Sequence, residues 1–248
     1  MNNTILFSRK YKVDNVQFKF EEVSNRKQSE ALEDKCKTEW QIMLENAEKE
    51  GKKVWDQDVF RLESFNVDTN VNLNFSTIPF SVRYAMNKFT DDVLALGQEY
   101  YPMACDSAIF VKTADGKYVF IQKSDKLLSR RKFSFIGGVF NRAKDKTFSE
   151  NNELFNSAIT EINEELGIQL SIDNNLELRG AFINQTCNVC FVFEHTLELT
   201  EEQIQESFAK NHDEEVESLI FVEPNNLEDF VTNTVGINKI ITDVYKQS

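Results

Sequence analysis

Histidine and cysteine are scarce in this chain of 248 residues, with two of the first and four of the second. Only Cys187 and Cys190 are closely spaced, and a lone pair of that kind without a histidine cluster lacks the spacing of a zinc site. The pair lies in an apolar, β-like run from Phe182 to Leu197 rather than at the opening of a helix, which argues against a redox dithiol. Reduced thiols and a cytoplasmic location are the expectation. No apolar run approaches the roughly 20 residues that a membrane helix needs. At the N-terminus the apolar Ile5-Leu6-Phe7 precedes Arg9, Lys10 and Lys12, the wrong order for a secretory signal. Positive charge is also in short supply: 28 Lys and Arg face 41 Asp and Glu, a net charge of -13. That balance opposes a long polyphosphate partner such as nucleic acid. It leaves room for a small anionic substrate, because bound cations can reverse the field locally. His195, inside the β-like run, reads as a satisfied structural residue and His212 as part of a polar loop, and nothing resembles a Ser-His-Asp arrangement.

The chain has ample material for a core, with 41% hydrophobic residues and 21 Phe. Its length allows one large domain or two small ones. From 28 to 52, Leu32, Cys36, Trp40, Met43, Leu44 and Ala47 recur at three and four and predict an amphipathic helix closed by Gly51. Two alternating runs, Val59–Leu62 and Val71–Phe75, predict an antiparallel pair joined by the polar stretch 66–70. Ser81 to Gly97 returns to helical spacing. After Pro102, Ser107–Val111, the turn Ala114-Asp115-Gly116-Lys117 and Tyr118–Ile121 predict a hairpin. A third strand over 132–136 runs into Gly137-Gly138, where backbone can approach a ligand closely. Beyond a polar loop over 139–151, a helix over 152–166 buries Leu154, Phe155, Ala158, Ile159, Ile162 and Leu166 and stops at Gly167. Strands follow over 177–184 and 187–197. Thr200 to Gln203 has capping-box spacing for a helix through Phe208, followed by a strand over 218–223 and helices near 225–231 and 236–246.

The segment that carries chemistry is Thr160-Glu161-Ile162-Asn163-Glu164-Glu165-Leu166-Gly167-Ile168. At about 100° per residue Glu161, Glu164 and Glu165 share one helix face, so their carboxylates converge and repel. A hard, oxygen-seeking cation such as Mg2+ turns that repulsion into attraction. In a chain this acidic a glutamate-rich helix face is by default a solvated one. The upstream strand with its glycine pair and the glycine that ends the helix favour the metal-binding reading.

A glycine pair, a loop, and a helix ending in Glu-x-x-Glu-Glu-x-Gly resemble the box of the Nudix hydrolases. Its second half is matched by Glu161, Ile162, Glu164, Glu165, Gly167 and Ile168. The family arginine falls on Thr160, the first family glutamate falls on Asn152 with Glu153 beside it, and the loop after Gly138 is longer by eight residues. These departures, with segments such as Trp55–Leu62, Asn184-Gln185-Thr186 and Ile220–Glu223, are similar to the UDP-glucose pyrophosphatase-like branch, over about residues 40 to 225.

The resemblance implies an α/β/α sandwich with a mixed sheet over 103–248 and an N-terminal α/β extension, 1–102, packed on it. It implies Mg2+ or Mn2+ held by Glu161, Glu164 and Glu165 with the Gly137 carbonyl. A further carboxylate, ligand or base, is expected from Glu214 or Glu215, and substrate contacts from Lys123, Arg130, Arg131 and Asn184. The implied reaction is Mg2+-dependent hydrolysis of the diphosphate of a nucleoside diphosphate sugar, UDP-glucose or UDP-galactose, to UMP and sugar 1-phosphate. The alternatives are another nucleoside diphosphate derivative (ADP-ribose, a dinucleotide, a capped RNA end) or a module that binds nucleotide without cleaving it. Oligomeric state is left open.

Overall fold

A computed structural model describes residues 3–124, 132–141, 153–173, 175–211, 214–235 and 239–248. The chain opens with β1 (Thr4–Tyr11) and β2 (Val16–Phe20), then α1 (Glu30–Lys49), β3 (Asp58–Val67), β4 (Val71–Pro79), α2 (Phe80–Lys88) and α3 (Thr90–Leu96). It continues through β5 (Cys105–Lys112), β6 (Tyr118–Lys123), β7 (Phe133–Phe135) and α4 (Glu153–Leu166). The last part holds β8 (Leu176–Ile183), β9 (Val189–Thr196), α5 (Glu201–Asn211), β10 (Val216–Val222), α6 (Leu227–Asp229) with a π-helical turn at Phe230–Val235, and α7 (Ile240–Gln247).

Seven strands form one mixed sheet in the order β1-β8-β9-β5-β6-β10, with β7 paired to β6. β5 and β9 are parallel at its centre, and both are buried along nearly their whole length. Burial on both faces explains why Ile109-Phe110-Val111 and Val189–Phe193 read as continuous apolar runs rather than alternating ones. α4 covers one face, where Phe155 meets Phe193 edge-on at 5.6 Å. On the other face α7 stacks Tyr245 on Phe110 at 4.1 Å, and Phe230 of the π-helical turn meets Phe120 at 4.8 Å. The expected layering, helices on both faces of a mixed sheet, is present.

A smaller sheet, β2-β4-β3, holds most of the N-terminal section. β3 and β4 pair antiparallel as the sequence predicts, and β2 adds to β4 in parallel. β1, however, joins the large sheet beside β8. The helical spacing from 81 to 97 is broken at Phe89 (φ -107°, ψ 34°), which separates α2 from α3. Thr200 and Gln203 form the expected reciprocal cap: the Thr200 N–H donates to Gln203 Oε1 at 3.0 Å and the Gln203 N–H to Thr200 Oγ1 at 3.4 Å. All four cysteines are buried free thiols. Among the described residues no helix is long and apolar enough to cross a membrane.

What positions the site is a gap in the large sheet. β5 and β6 pair only at Val111–Lys112 with Tyr118–Val119. Beyond that point β7 stays with β6 while the residues after it pass to β5, where Ile109 N donates to Ile136 O at 2.9 Å and Phe140 N donates to Cys105 O at 3.0 Å. Gly137 and Gly138 therefore sit where β5 and β6 have parted.

Candidate active site

Ser107 fixes the second glycine from both sides. Its N–H donates to Gly138 O at 2.8 Å, and its hydroxyl accepts the Gly138 N–H at 3.1 Å. The fit leaves no space for side chains. At Gly137 (φ +133°) a Cβ would lie 2.5 Å from Ser107 O, and at Gly138 it would lie 2.7 Å from Glu161 Oε1. These two positions require glycine for different reasons, backbone conformation with backbone contact at the first and the approach of a carboxylate at the second.

α4 brings its acidic face onto this pair. Glu161 lies against Gly138, and Glu165 Oε2 accepts the Gly137 N–H at 3.0 Å. Burial, followed by the negative charge of Glu161, holds the Glu165 carboxyl well above the ordinary carboxylate range. The charge of Lys123 and the Gly137 N–H pull it down, and Glu215 adds to the upward push. Glu164 is half-buried on the same helix face. The sequence-predicted Glu161, Glu165, Gly137, Lys123 and Glu215 thus come together, with Lys123 ending β6 and Ser124 N donating to Glu215 O at 2.9 Å. Glu214, exposed beside Glu215, opens the approach to β10.

The other three predicted contacts fare differently. Asn184 directs its side-chain oxygen into its own turn, accepting from Thr186 N at 3.0 Å, Thr186 Oγ1 at 2.9 Å and Asn188 N at 3.1 Å. Its partners are those of a turn cap, not of the glutamate face. Arg130 and Arg131 lie outside the described residues, as do Asn152 and His212. His195 is buried as expected but is not satisfied: neither ring nitrogen has a hydrogen-bond partner among the described residues, and Asp173 Oδ1 is 3.9 Å from Nδ1. It lines an open pocket of about 720 Å³ at the C-terminal end of α4, whose lining contains none of the glutamates of the face above.

Residues that sequence reasoning missed form the support of the glycine segment. Besides Ser107, Arg83 Nη2 donates to Asp106 Oδ1 at 2.5 Å, and Asn141 Nδ2 donates to Gln57 Oε1 at 2.5 Å. Phe60 N donates to Phe140 O at 2.9 Å. One signal was available, since Asp106 and Ser107 are polar residues opening an otherwise apolar strand.

The donor set fits a hard divalent cation. Its oxygens come from carboxylates and from a backbone stretch stripped of side chains, and the repulsion by Glu161 that adds to burial in raising Glu165 is what a bound cation relieves. Among the described residues no three acidic, histidine or cysteine side chains already close around one point.

No protein-family model and no curated protein matches the chain. Solved structures similar to it include the MutT protein of Methanosarcina mazei, 13% identical, covering 58% of this chain and 90% of that one with a TM-score of 0.38. A Nudix hydrolase from Nitrosomonas europaea is 11% identical over 58% of this chain and 86% of its own, with a TM-score of 0.38. A third, from Alicyclobacillus acidocaldarius, is 10% identical over 58% and 90%, with a TM-score of 0.42.

Proposed function

We propose that this chain is a Nudix-type pyrophosphohydrolase that cleaves the diphosphate of a small nucleoside diphosphate derivative with the help of a divalent cation. The observation that carries the reading is the convergence of Glu161 and Glu165, from α4, on Gly137 and Gly138, from the segment after β7. Glu161, Glu164 and Glu165 would hold the cation. When bound, it neutralises charge on the non-bridging phosphate oxygens and makes water more acidic.

The protein's own groups supply the remainder. Lys123 provides positive charge at a site otherwise rich in carboxylates, which favours an anionic substrate. Ser107 holds the glycine segment so that the phosphates can approach backbone rather than side chain. Glu215, or Glu214 beside it, accepts the proton of the attacking water. Within this reading residues 103–248 are the hydrolase domain, 1–102 its extension, the metal Mg2+ and the site of action the cytoplasm. The substrate class is a nucleoside diphosphate sugar, UDP-glucose or UDP-galactose, supported by the segments that resemble that branch.

The test is Mg2+-dependent turnover of a panel of UDP-glucose, UDP-galactose, ADP-ribose, NADH, coenzyme A and diadenosine polyphosphates, with Glu165→Gln alongside. Product from UDP-sugars that disappears in the variant is expected. Full Mg2+-dependent turnover by Glu165→Gln would remove the site assignment, and a blank panel would remove the hydrolase reading.

A further inference from the structure

His195, near the end of β9, is 1% exposed, and both of its ring nitrogens are buried without a hydrogen-bond partner among the described residues. Side chains alternate along a strand, so His195 lies on the same side of the sheet as Phe193, which meets Phe155 of α4. A buried polar atom left without a hydrogen bond costs about 1–3 kcal/mol. Such atoms are rare in protein interiors and call for a reason. Here the ring stands in the wall of the open pocket of about 720 Å³ at the C-terminal end of α4.

The walls of this pocket are fastened by bonds of their own. Asn163 clamps Leu170 through both backbone groups, donating to its carbonyl at 3.0 Å and accepting its N–H at 2.8 Å. The Ser207 hydroxyl donates to Gly167 O at 2.7 Å, which ties α5 to the end of α4. Asp173 Oδ1 accepts the Asn175 N–H at 2.8 Å and stands 3.9 Å from His195 Nδ1. That gap is too long for a direct hydrogen bond. A single ammonium group, whose N–H bonds diverge, can donate to both atoms across it. The charge of the walls agrees. Asp173 and Glu198 line the pocket, no Lys or Arg is among its described lining residues, and the end of α4 adds the negative pole of a helix. A metal ion is a poorer fit, because among the described residues no third acidic, histidine or cysteine side chain joins His195 and Asp173.

We propose that this pocket is a second ligand site, separate from the glutamate face, and that it takes a small aliphatic amine whose ammonium group sits between His195 Nδ1 and Asp173. The neutral imidazole accepts through Nδ1 and carries its proton on Nε2. Leu170 and Leu197, which also line the pocket, offer apolar wall to a short carbon chain. A carboxylate or phosphate of the same size meets only like charge there, and an alcohol forgoes the attraction of Asp173 and Glu198. The site does not depend on the hydrolase reading, since Glu161, Glu164 and Glu165 are not among its lining residues.

The experiment follows the imidazole itself. His212→Gln leaves His195 as the sole histidine of the chain, and its ring C–H resonances are recorded by NMR while butylamine, butanol and butyrate, probes of equal chain length, are added in turn. Mildly alkaline buffer keeps an imidazole neutral and the amine charged. A saturable shift with butylamine and none with butanol or butyrate is expected. No shift with butylamine, or the same shift with all three, overturns the site. The second arm locates the amine, because an acidic helix face could also attract it. Asp173→Asn, an exposed position, should weaken butylamine binding by at least about fivefold, whereas Glu165→Gln should leave it unchanged. Binding that survives Asp173→Asn intact, or that is lost in Glu165→Gln, overturns the placement.

Discussion

The side chains of Gln57 and Asn141 meet at 2.5 Å, and this contact joins the N-terminal sheet to the segment that carries the glycine pair. Asn141 is 4% exposed while Gln57 is exposed, so the bond is part-buried. Removing Gln57 takes one partner from a buried amide, whereas removing Asn141 leaves Gln57 free to turn to water. Gln57→Ala and Asn141→Ala should each destabilise the protein by about 0.5–1.5 kcal/mol, and the double variant by less than their sum. Chemical denaturation of the four proteins measures the coupling, and strict additivity would show that the bond contributes nothing.

Alanine at the two glycines should separate folding from chemistry. At Gly137 a Cβ meets backbone at Ser107 and the residue sits at φ +133°, so Gly137→Ala should cost about 1–3 kcal/mol or more of stability. At Gly138 the three atoms nearest such a Cβ all belong to the movable end of Glu161. Gly138→Ala should melt within a few degrees of wild type yet lose at least about tenfold in Mg2+-dependent turnover, because it displaces a carboxylate proposed to hold the cation. Thermal melts and rates on the same preparations decide this, and a fully active Gly138→Ala would contradict the placement of Glu161.

Cation binding should be visible without any substrate. Saturating Mg2+ should raise the melting temperature of the wild-type protein by a few degrees, through binding to the folded state alone. Glu165→Gln should show a smaller rise, because the amide can still accept from Gly137 N but offers a weaker oxygen to the metal. Equal shifts in the two proteins would mean that Glu165 does not contribute to the ion's site.

Acid should attack the smaller sheet through Glu63. Burial alone would raise its carboxyl, but hydrogen bonds from Ser76 and Arg61, the Arg61 charge and the Asn25 N–H outweigh it and hold the group below its ordinary value. A folded-state pKa below the unfolded one means stability that is present above the unfolded value and lost as pH falls through the folded one. Wild-type melting temperature should therefore drop on descending from about pH 5 to pH 3. Glu63→Gln, which leaves buried Arg61 without its counter-charge, should be less stable by about 3–5 kcal/mol at pH 7 and respond less to acid over that range. Parallel pH profiles for the two proteins would rule the pair out as a source of acid sensitivity.

The glutamate helix and the β5–β6 hairpin were legible because each is written locally: α4 repeats its apolar residues at three and four, and the hairpin has its turn residues between two short apolar runs. β1 was not. Ile5-Leu6-Phe7 is too short to announce a strand, and its partner Phe182 lies far along the chain. Ser107 was missed for a related reason, since its role depends on Gly138, which only tertiary pairing brings near. Asn184 went the other way: an Asn two residues before Thr186 is suited to binding its own turn, and the structure uses it so. At the candidate site the glutamates of one helix, and with them Gly137, Lys123 and Glu215, were readable, whereas the residues that support the glycine segment, Ser107, Asp106 and Arg83, were not.

Because β1 finds its partner only in β8, and α7 then lays Val244 O against the Ser8 hydroxyl at 2.9 Å, the first strand of this chain must wait for nearly the last helix before its surroundings are complete. Such distant pairing slows folding, since much of the chain must be ordered before the contact is rewarded. During synthesis the N-terminal strand emerges with neither edge paired, the kind of segment that recruits foreign strands, and β8 later covers one edge only, because β1 ends the described sheet.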